Sequence, residues 1–391
     1  MLKVNNVSVN NHFNRIVAKE GTGLSCLRWL IAFFFIATPF NPSIDDTTIY
    51  LWLPMICCDK EFVLKLIERI NLKYVLLLFL WLTGCLLSLK FNLTIKCFSI
   101  SLGVAYIFFI GEAIIKKIYA CFLFSAIFCI IQFVTYFYSP VLASSLGPEQ
   151  MSLALWGEYA TLTFTNQYVL FLFPRMSGLS REAGFFVSLL CIVFLIRKQY
   201  GKMTFVENVI FLLGFLFSLS KISILGLLLP ILFLFKNFIN KIPVFLTFLV
   251  LFLVYCYIAV YLNIGSTNYF YDNESIAHRF SAAYLVFNMQ EKYLLSGCPV
   301  DFNCFNSESM ALVDYLVNER HLYPSIGFIG LILDFGLFGI ILICFSVVIL
   351  KLDSFKFFIL VLFTSTVYIL TVDNFIILLY YYLIMLDSKE K

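Results

Sequence analysis

Long apolar runs, separated by short polar stretches, make up most of the chain after residue 23. A helix needs roughly 20 apolar residues to cross the hydrocarbon core of a membrane. We interpret twelve runs as spans, of which the second is short and interrupted by Pro54. They cover residues 24–40, 47–58, 73–89, 95–110, 117–138, 184–196, 205–219, 222–235, 243–262, 324–350, 355–370 and 372–386. The pattern predicts an all-α polytopic integral membrane protein with about 12 transmembrane helices.

Two polar tails and two long loops complete the predicted domain organisation. Residues 1–23 lack the charged, apolar and small-residue order of a signal peptide, so we expect a cytoplasmic tail, with a second tail at 387–391. The loops cover 139–183 and 263–323. The second far exceeds the usual length of a connection, and its Tyr, Phe and Leu content argues against disorder. We therefore expect it to form the lid and half of an active site.

Composition excludes a soluble protein. Hydrophobic residues make up 62% of the 391 positions and charged residues 13%, and the mean hydropathy is +0.95. The lipid bilayer is therefore an expected partner. The net charge of +4 is too small to indicate nucleic acid, and we expect no nucleic-acid partner.

The positions of Lys and Arg predict orientation, because these residues are enriched in cytoplasmic loops. With the N-terminus inside, 19 of the 27 Lys and Arg fall on the cytoplasmic side. This distribution predicts that both termini are cytoplasmic and both long loops lie outside. The eight outside cations are Lys90, Lys96, Arg175, Arg181, Lys221, Arg279, Lys292 and Arg320.

A cation on the disfavoured side suggests an anionic ligand, although a lone arginine is also common as an interfacial anchor. Arg175 and Arg181 precede the predicted span 184–196, and Lys221 lies in a very short hairpin. Arg279 begins a stretch whose spacing suits a surface helix ending near Gly297. We interpret these cations as candidate anion-binding residues.

Candidate acid–base groups also lie on the outer side. His321 immediately precedes the predicted span 324–350 and is our first candidate for a general base, because histidine titrates near neutral pH. Glu182 is the second candidate. The alternatives are a capping role for His321 and an ion pair between Glu182 and Arg181 or Arg175. His278 is interpreted as a structural or surface residue.

Two carboxylates and two cysteines complete the candidate residues. Asp334 lies inside a predicted span, so a hydroxyl or cation on a neighbouring helix is expected as its partner. Asp373, at the predicted outer turn between the last two spans, is interpreted as solvated. Cys298 and Cys304 share the large outer loop, where they either form a disulfide or stay reduced. The outer face shows no metal-ligand spacing, so we expect neither a metal nor a cofactor.

Four short motifs occur in order along the chain. The run Arg175-x-x-Gly178-x-x-x-Glu182-x-Gly184 resembles the Arg-x-Ser-Gly-Leu-x-x-Glu-Pro-Gly signature of Wzy-type O-antigen and exopolysaccharide repeat-unit polymerases. Ala183 stands where that family usually has proline. Ser218-x-Ser220-Lys221 resembles the Ser-x-Ser-Arg hairpin of the wider O-antigen polymerase and ligase superfamily, with Lys221 in place of arginine.

The other two motifs lie in and after the large loop. Arg279 followed by Leu295-x-Gly297 resembles the Arg…Pro-Leu-x-Gly pattern of the superfamily. The run His321-Leu322-Tyr323-Pro324, which leads to Asp334-x-Gly336-Leu337-x-Gly339, resembles its His-Asn-x-Tyr entry and Glu-x-Gly-Leu-x-Gly helix. Leu322 replaces the frequent asparagine.

The resemblance implies a fold similar to C-type glycosyltransferases and a location in the bacterial inner membrane with a periplasmic active site. It implies an undecaprenyl-diphosphate-linked oligosaccharide as substrate and a chain-length-regulating co-polymerase as partner. The implied diphosphate-binding residues are Arg181, Lys221, Arg279 and Arg175. His321 or Glu182 would accept the proton of the attacking hydroxyl in an inverting, metal-independent transfer.

Two alternatives stay open. An O-antigen ligase, which transfers the glycan to lipid A-core, shares the donor and the site with a polymerase. A lipid-linked oligosaccharide flippase or other secondary transporter also has about twelve spans, but would keep polar groups near the middle of the membrane. The predicted spans carry few such groups, which favours an enzyme.

Overall fold

The structure, a computed structural model, describes residues 21–44, 47–161, 169–170, 173–218, 223–264, 266–319, 322–365 and 367–388. Helices dominate these ranges. They are α1 (Thr22–Ile36), α2 (Trp52–Cys57), α3 (Lys60–Arg69), α4 (Leu72–Leu87), α5 (Phe91–Ile110), α6 (Glu112–Tyr138), α7 (Pro140–Ser145), α8 (Pro148–Trp156), α9 (Ala183–Gln199), α10 (Phe205–Ser218), α11 (Ser223–Leu234), α12 (Lys236–Ile239), α13 (Val244–Cys256), α14 (Thr267–Phe287), α15 (Ser307–Asp314), α16 (Gly330–Phe335), α17 (Leu337–Ile349), α18 (Ser354–Thr364) and α19 (Asn374–Ser388).

Within the described ranges, the strands form two small antiparallel hairpins. In the first, β1 (Ser43–Ile44) pairs with β2 (Thr47–Thr48). In the second, β3 (Val169–Leu170) pairs with β4 (Phe173–Pro174) directly before the Arg175 motif. The prediction of a helical chain is confirmed at this level.

Three helices within the described ranges are long and apolar enough to cross a membrane. They are α5, α6, and α13 with its π-helical continuation to Tyr261. A fourth span is possible if α3 and α4, which meet at an angle of 98°, are one broken element. Shorter apolar helices include α1, α10, α17 and α18. A membrane-spanning helical protein agrees with these lengths, while the number of twelve spans stays a prediction.

Two predicted spans are not continuous helices. The run 47–58 forms strand β2 and the six-residue helix α2, which is about 9 Å long at the usual rise per residue and too short to cross a bilayer. The run 324–350 is broken at Gly336, whose φ of +60° ends α16 before α17 begins. Apolar length alone does not reveal such breaks.

Both long loops contain helices. Residues 139–183 include α7 and α8, and the large loop includes α14 and α15. The helix expected to begin at Arg279 begins at Thr267 and ends at Phe287, well before Gly297, so the predicted boundaries were wrong. Cys298 and Cys304 form a disulfide, one of the two possibilities considered from the sequence.

The core is centred on α9 and α19, which pack against each other. Nearly every residue of α9 from Ala183 to Ile196 is buried, as are most residues of α19. By contrast, α4, α11 and α13 expose many large apolar side chains, as expected of helices that face lipid. The residues just before α9 and α19 are therefore attached to two well-buried helices.

The helical bundle also contains a buried charge network. Arg28, in the middle of α1, is 1% exposed and forms an ion pair of 2.8 Å with Asp59. The hydroxyl of Tyr106 in α5 donates to the same carboxylate across 3.1 Å. The interior is thus more polar than the apolar runs predict. The scarcity of polar groups in the predicted spans is therefore weaker evidence against a transporter.

Candidate functional site

The loop before α9 is held in a defined shape by two side chains of α6. The amide of Gln132 donates to the carbonyl of Gly178 across 3.2 Å and accepts from its backbone nitrogen across 3.0 Å. The hydroxyl of Ser125 accepts from the backbone nitrogen of Leu179. Gly178 has a φ of +57°, and a Cβ there would overlap the backbone of Ser125. The glycine of the first motif is therefore required by both backbone conformation and space.

This loop brings Arg181 to a buried carboxylate. The Nη2 atom of Arg181 donates to Oδ2 of Asp373 across 3.2 Å, and the guanidinium carbon lies 4.1 Å from the ring centre of Phe185. Asp373 is 2% exposed, so the interpretation of this residue as solvated was wrong. The ion pair connects the residues that precede α9 and α19.

Glu182 lies beside this pair, as the last residue before α9. Its carboxylate does not cap the helix and is partly buried. Burial raises the pKa of Glu182, while the charges of Arg181 and Arg175 act in the opposite direction. Burial also raises the pKa of Asp373, again opposed by Arg181. Arg175, Arg181 and Glu182, all predicted site residues, thus lie within electrostatic range of one another.

A second polar group surrounds Asp334. Its Oδ1 atom accepts from Ser325 across 2.9 Å and from the hydroxyl of Tyr323 across 3.2 Å, and it forms an ion pair with Lys90. The predicted hydroxyl or cation partner on another helix is confirmed, since Lys90 lies at the start of α5. Tyr323 belongs to the fourth motif, which now has a structural role.

Lys96 interacts electrostatically with both groups. Its Nζ atom is 5.7 Å from the ring centre of Tyr323, and its charge interacts with those of Asp334, Asp373 and Arg181. Sequence reasoning counted Lys96 among the outside cations but did not select it. The available signal was a charge near the start of an otherwise apolar helix.

Two glycines attach the large loop to the break between α16 and α17. Gly297 has a φ of +81° and its Cα faces the backbone of Asp334 and Phe335, so a Cβ would overlap those atoms. A Cβ on Gly336 would overlap the backbone around Leu294 and Gly297. The backbone nitrogen of Leu337 donates to the carbonyl of Leu294 across 2.8 Å. The third and fourth motifs therefore form one interface.

Arg279 lies in a different environment from Arg181. It projects from α14 near Tyr255 and lines a small cavity with Gly327, Phe328 and Ser365. Its charge interacts with Tyr255 and His278. Arg279 therefore has different immediate neighbours from Arg181.

His278 is enclosed by the folded loop. Its Nε2 atom is buried and has no hydrogen-bond partner in the described ranges, and its ring faces the backbone of Tyr323. Burial lowers the pKa of His278 to about 4, so the ring is neutral at pH 7. The side chain of His278 is therefore partly buried in the large loop, with its Nε2 atom enclosed.

Three predicted residues, Lys221, Arg320 and His321, lie outside the described residues, so their roles stay predictions. In the described ranges, no three His, Cys, Asp or Glu residues are grouped so as to hold a metal ion. No family model, curated protein or solved structure matches the chain. A functional proposal for this chain therefore has to be argued from its sequence motifs and from the geometry of the site.

Proposed function

We propose that this protein is a membrane glycosyltransferase that polymerises undecaprenyl-diphosphate-linked repeat units of O-antigen or a related glycan. The observation that supports it best is the convergence of Arg175, Arg181 and Glu182 at the entrance to α9. The charges of Arg175 and Arg181 act on Glu182, and the charge of Arg181 also interacts with that of Lys96, near the start of the membrane-length helix α5. A charged site at such a position suits a substrate with an anionic head and a lipid tail.

The arrangement fits a displacement at the anomeric carbon. The acceptor hydroxyl oxygen forms a bond to C1 of the donor sugar as the bond from C1 to the diphosphate oxygen breaks. The leaving undecaprenyl diphosphate carries the electron pair, and guanidinium groups bind its growing negative charge. The proton of the hydroxyl passes to a base, and one displacement inverts the configuration at C1.

Two residues are candidates for that base. Glu182 has a carboxylate next to the arginines, with a pKa raised by burial, which brings it closer to the working pH of a general base. His321 is the other candidate because its motif resembles that of the polymerase and ligase superfamily. In this proposal Arg175 and Arg181 bind the diphosphate directly, whereas Arg279 and Lys221 complete the site from the large loop and the short hairpin.

The apolar surface supports a lipid-linked substrate. The exposed faces of α11 and α13 carry many large aliphatic and aromatic side chains, along which a polyprenyl chain can lie in the bilayer. In the proposed orientation, the site faces the periplasm of a bacterial inner membrane and both termini face the cytoplasm. A separate co-polymerase would set the chain length.

Elongation by the purified protein tests this proposal. We expect lipid-linked repeat units to be joined into longer glycans without added metal, and Arg279→Ala and His321→Ala to abolish long chains while the protein still inserts. A protein that only moves lipid-linked glycan between leaflets would contradict the enzyme. The buried Arg28–Asp59 pair is the observation that favours such a transporter.

The ligase alternative uses the same donor and the same displacement. Deleting the gene separates the two enzymes. A polymerase deletion leaves one repeat unit on lipid A-core, whereas a ligase deletion leaves none.

A further inference from the structure

Lys96 differs from the two basic residues nearest to it. Lys90 is paired with Asp334, and Arg181 is paired with Asp373. The ammonium of Lys96 is partly buried and has an aromatic neighbour, Tyr323, but it forms no ion pair with any residue that the structure describes. Each nearby aspartate already contacts another cation. The charge of Lys96 is therefore only partly compensated by the protein.

The position of Lys96 raises the free-energy cost of leaving its ammonium charge without an ion-pair partner. Lys96 lies six residues after Lys90, which places it about 9 Å further along α5 at the usual helical rise. Ionisable groups within membrane-length helices are expensive and normally have a partner. An anion that approaches from the end of α5 would supply one.

The neighbouring charges limit what this anion can be. Arg181 lies before the first turn of α9, whereas Lys96 lies inside α5, yet their charges interact. A diphosphate has two phosphates that can contact both cations, one deeper along the helices than the other. A diphosphate on a lipid chain also enters with its tail on the membrane side.

We propose that Lys96 binds the diphosphate of a polyprenyl-diphosphate substrate, at the phosphate nearer the lipid chain. This inference rests on the proposed function and extends it, because it assigns the deeper phosphate to a residue that no sequence motif indicated. Arg181 then contacts the phosphate next to the sugar, where the leaving-group charge develops. Lys96 acts mainly in binding and Arg181 mainly in the transition state.

Direct binding to the purified protein in detergent tests the role of Lys96. The probes are farnesyl diphosphate, inorganic pyrophosphate and uncharged farnesol. Because a hydrogen bond between charged groups contributes more binding free energy than a neutral one, Lys96→Met should weaken farnesyl diphosphate binding by about tenfold or more. Lys96→Arg should keep most of the affinity. Lys292→Met is the matched control, because Lys292 is an exposed lysine of the large loop, and we expect no change.

The results distinguish this inference from the proposed function. Equal affinity of Lys96→Met and the unaltered protein for farnesyl diphosphate would overturn the role of Lys96, even if the protein elongates glycans. Lost binding in Lys96→Met together with no glycan elongation by the unaltered protein would keep the anion site and reject the polymerase. An equal loss of farnesol binding would show a general packing defect and contradict the inference.

A second measurement avoids the variants. In the unaltered protein, farnesyl diphosphate should protect Lys96, but not Lys292, from acetylation, as followed by mass spectrometry. Acetylation of Lys96 at the same rate with and without farnesyl diphosphate would overturn the inference.

Discussion

Arg181 donates a hydrogen bond to Asp373 across 3.2 Å although the two residues are 192 positions apart in the chain. Each residue lies just before one of two well-buried helices, α9 and α19. The ion pair thus fixes the relative positions of two helix starts while it holds a guanidinium at the candidate site. This dual role makes its loss measurable in both stability and activity.

Asp373→Asn should therefore destabilise the protein. The amide keeps the size of the side chain, but the guanidinium of Arg181 loses its buried counter-charge. We expect a loss of about 1–3 kcal/mol, below the value for a fully buried pair because Arg181 is partly exposed. Thermal unfolding in detergent measures this change. Glu68→Gln removes an exposed carboxylate and should leave the melting temperature unchanged.

Gly178→Ala should displace the loop that carries Arg181. The added Cβ meets both an unfavourable positive φ and the backbone of Ser125. We expect glycan elongation to fall more than tenfold, as in a site moved by about 1 Å. Gly157→Ala is a matched control, because Gly157 has a similar φ of +56° but no atom within 4 Å of the added Cβ. Equal activity of the two variants would contradict the structural role of Gly178.

Gly336→Ala should separate the large loop from the break between α16 and α17. A Cβ there overlaps the backbone around Leu294, so the loop has to move. Limited proteolysis should then cleave residues 288–306 faster than in the unaltered protein. Gly201→Ala has positive φ but open surroundings, and its cleavage pattern should not change. An unchanged pattern in Gly336→Ala would mean that the interface does not hold the loop.

The Lys90–Asp334 pair predicts a non-additive double variant. Lys90→Met alone leaves a buried carboxylate without its cation and should cost about 3–5 kcal/mol. Adding Asp334→Asn removes the orphaned charge, and the hydroxyls of Tyr323 and Ser325 still have an acceptor. The double variant should thus be more stable than the sum of the single losses predicts. Additive losses, measured by unfolding, would show that the two charges are not coupled.

Glu182 predicts a specific pH dependence. Burial raises the pKa of Glu182 above its ordinary value of 4.5, and only the ionised carboxylate accepts a proton. The rate of elongation should therefore fall as the pH drops through this raised pKa, and Glu182→Gln should be slow at every pH. If His321 is the base, His321→Gln removes the fall and Glu182→Gln keeps it. A fall that survives both variants would exclude both residues as the base.

The pattern of the chain determined several local features because they depend on residues close in sequence. Apolar run length predicted membrane-length helices, of which α5, α6 and α13 reach the full length. Three glycines of the motifs, Gly178, Gly297 and Gly336, have positive φ, a conformation that glycine adopts without steric cost. The cost of an isolated carboxylate in an apolar run also predicted that Asp334 has a partner.

Only the tertiary structure decided which charges meet. Asp373 follows an apolar run and reads as a solvated turn residue, yet packing of α9 against α19 buries it against Arg181. Lys96 became a candidate only because the fold places it near Tyr323 and within electrostatic range of Asp334 and Asp373, which come from other parts of the chain. Similarly, Arg279 and Arg181 both belong to the motifs that occur in order along the chain, but their neighbours in the structure differ. Burial and electrostatic contact are properties of neighbours in space, so no one-dimensional pattern of apolar and polar residues contains them.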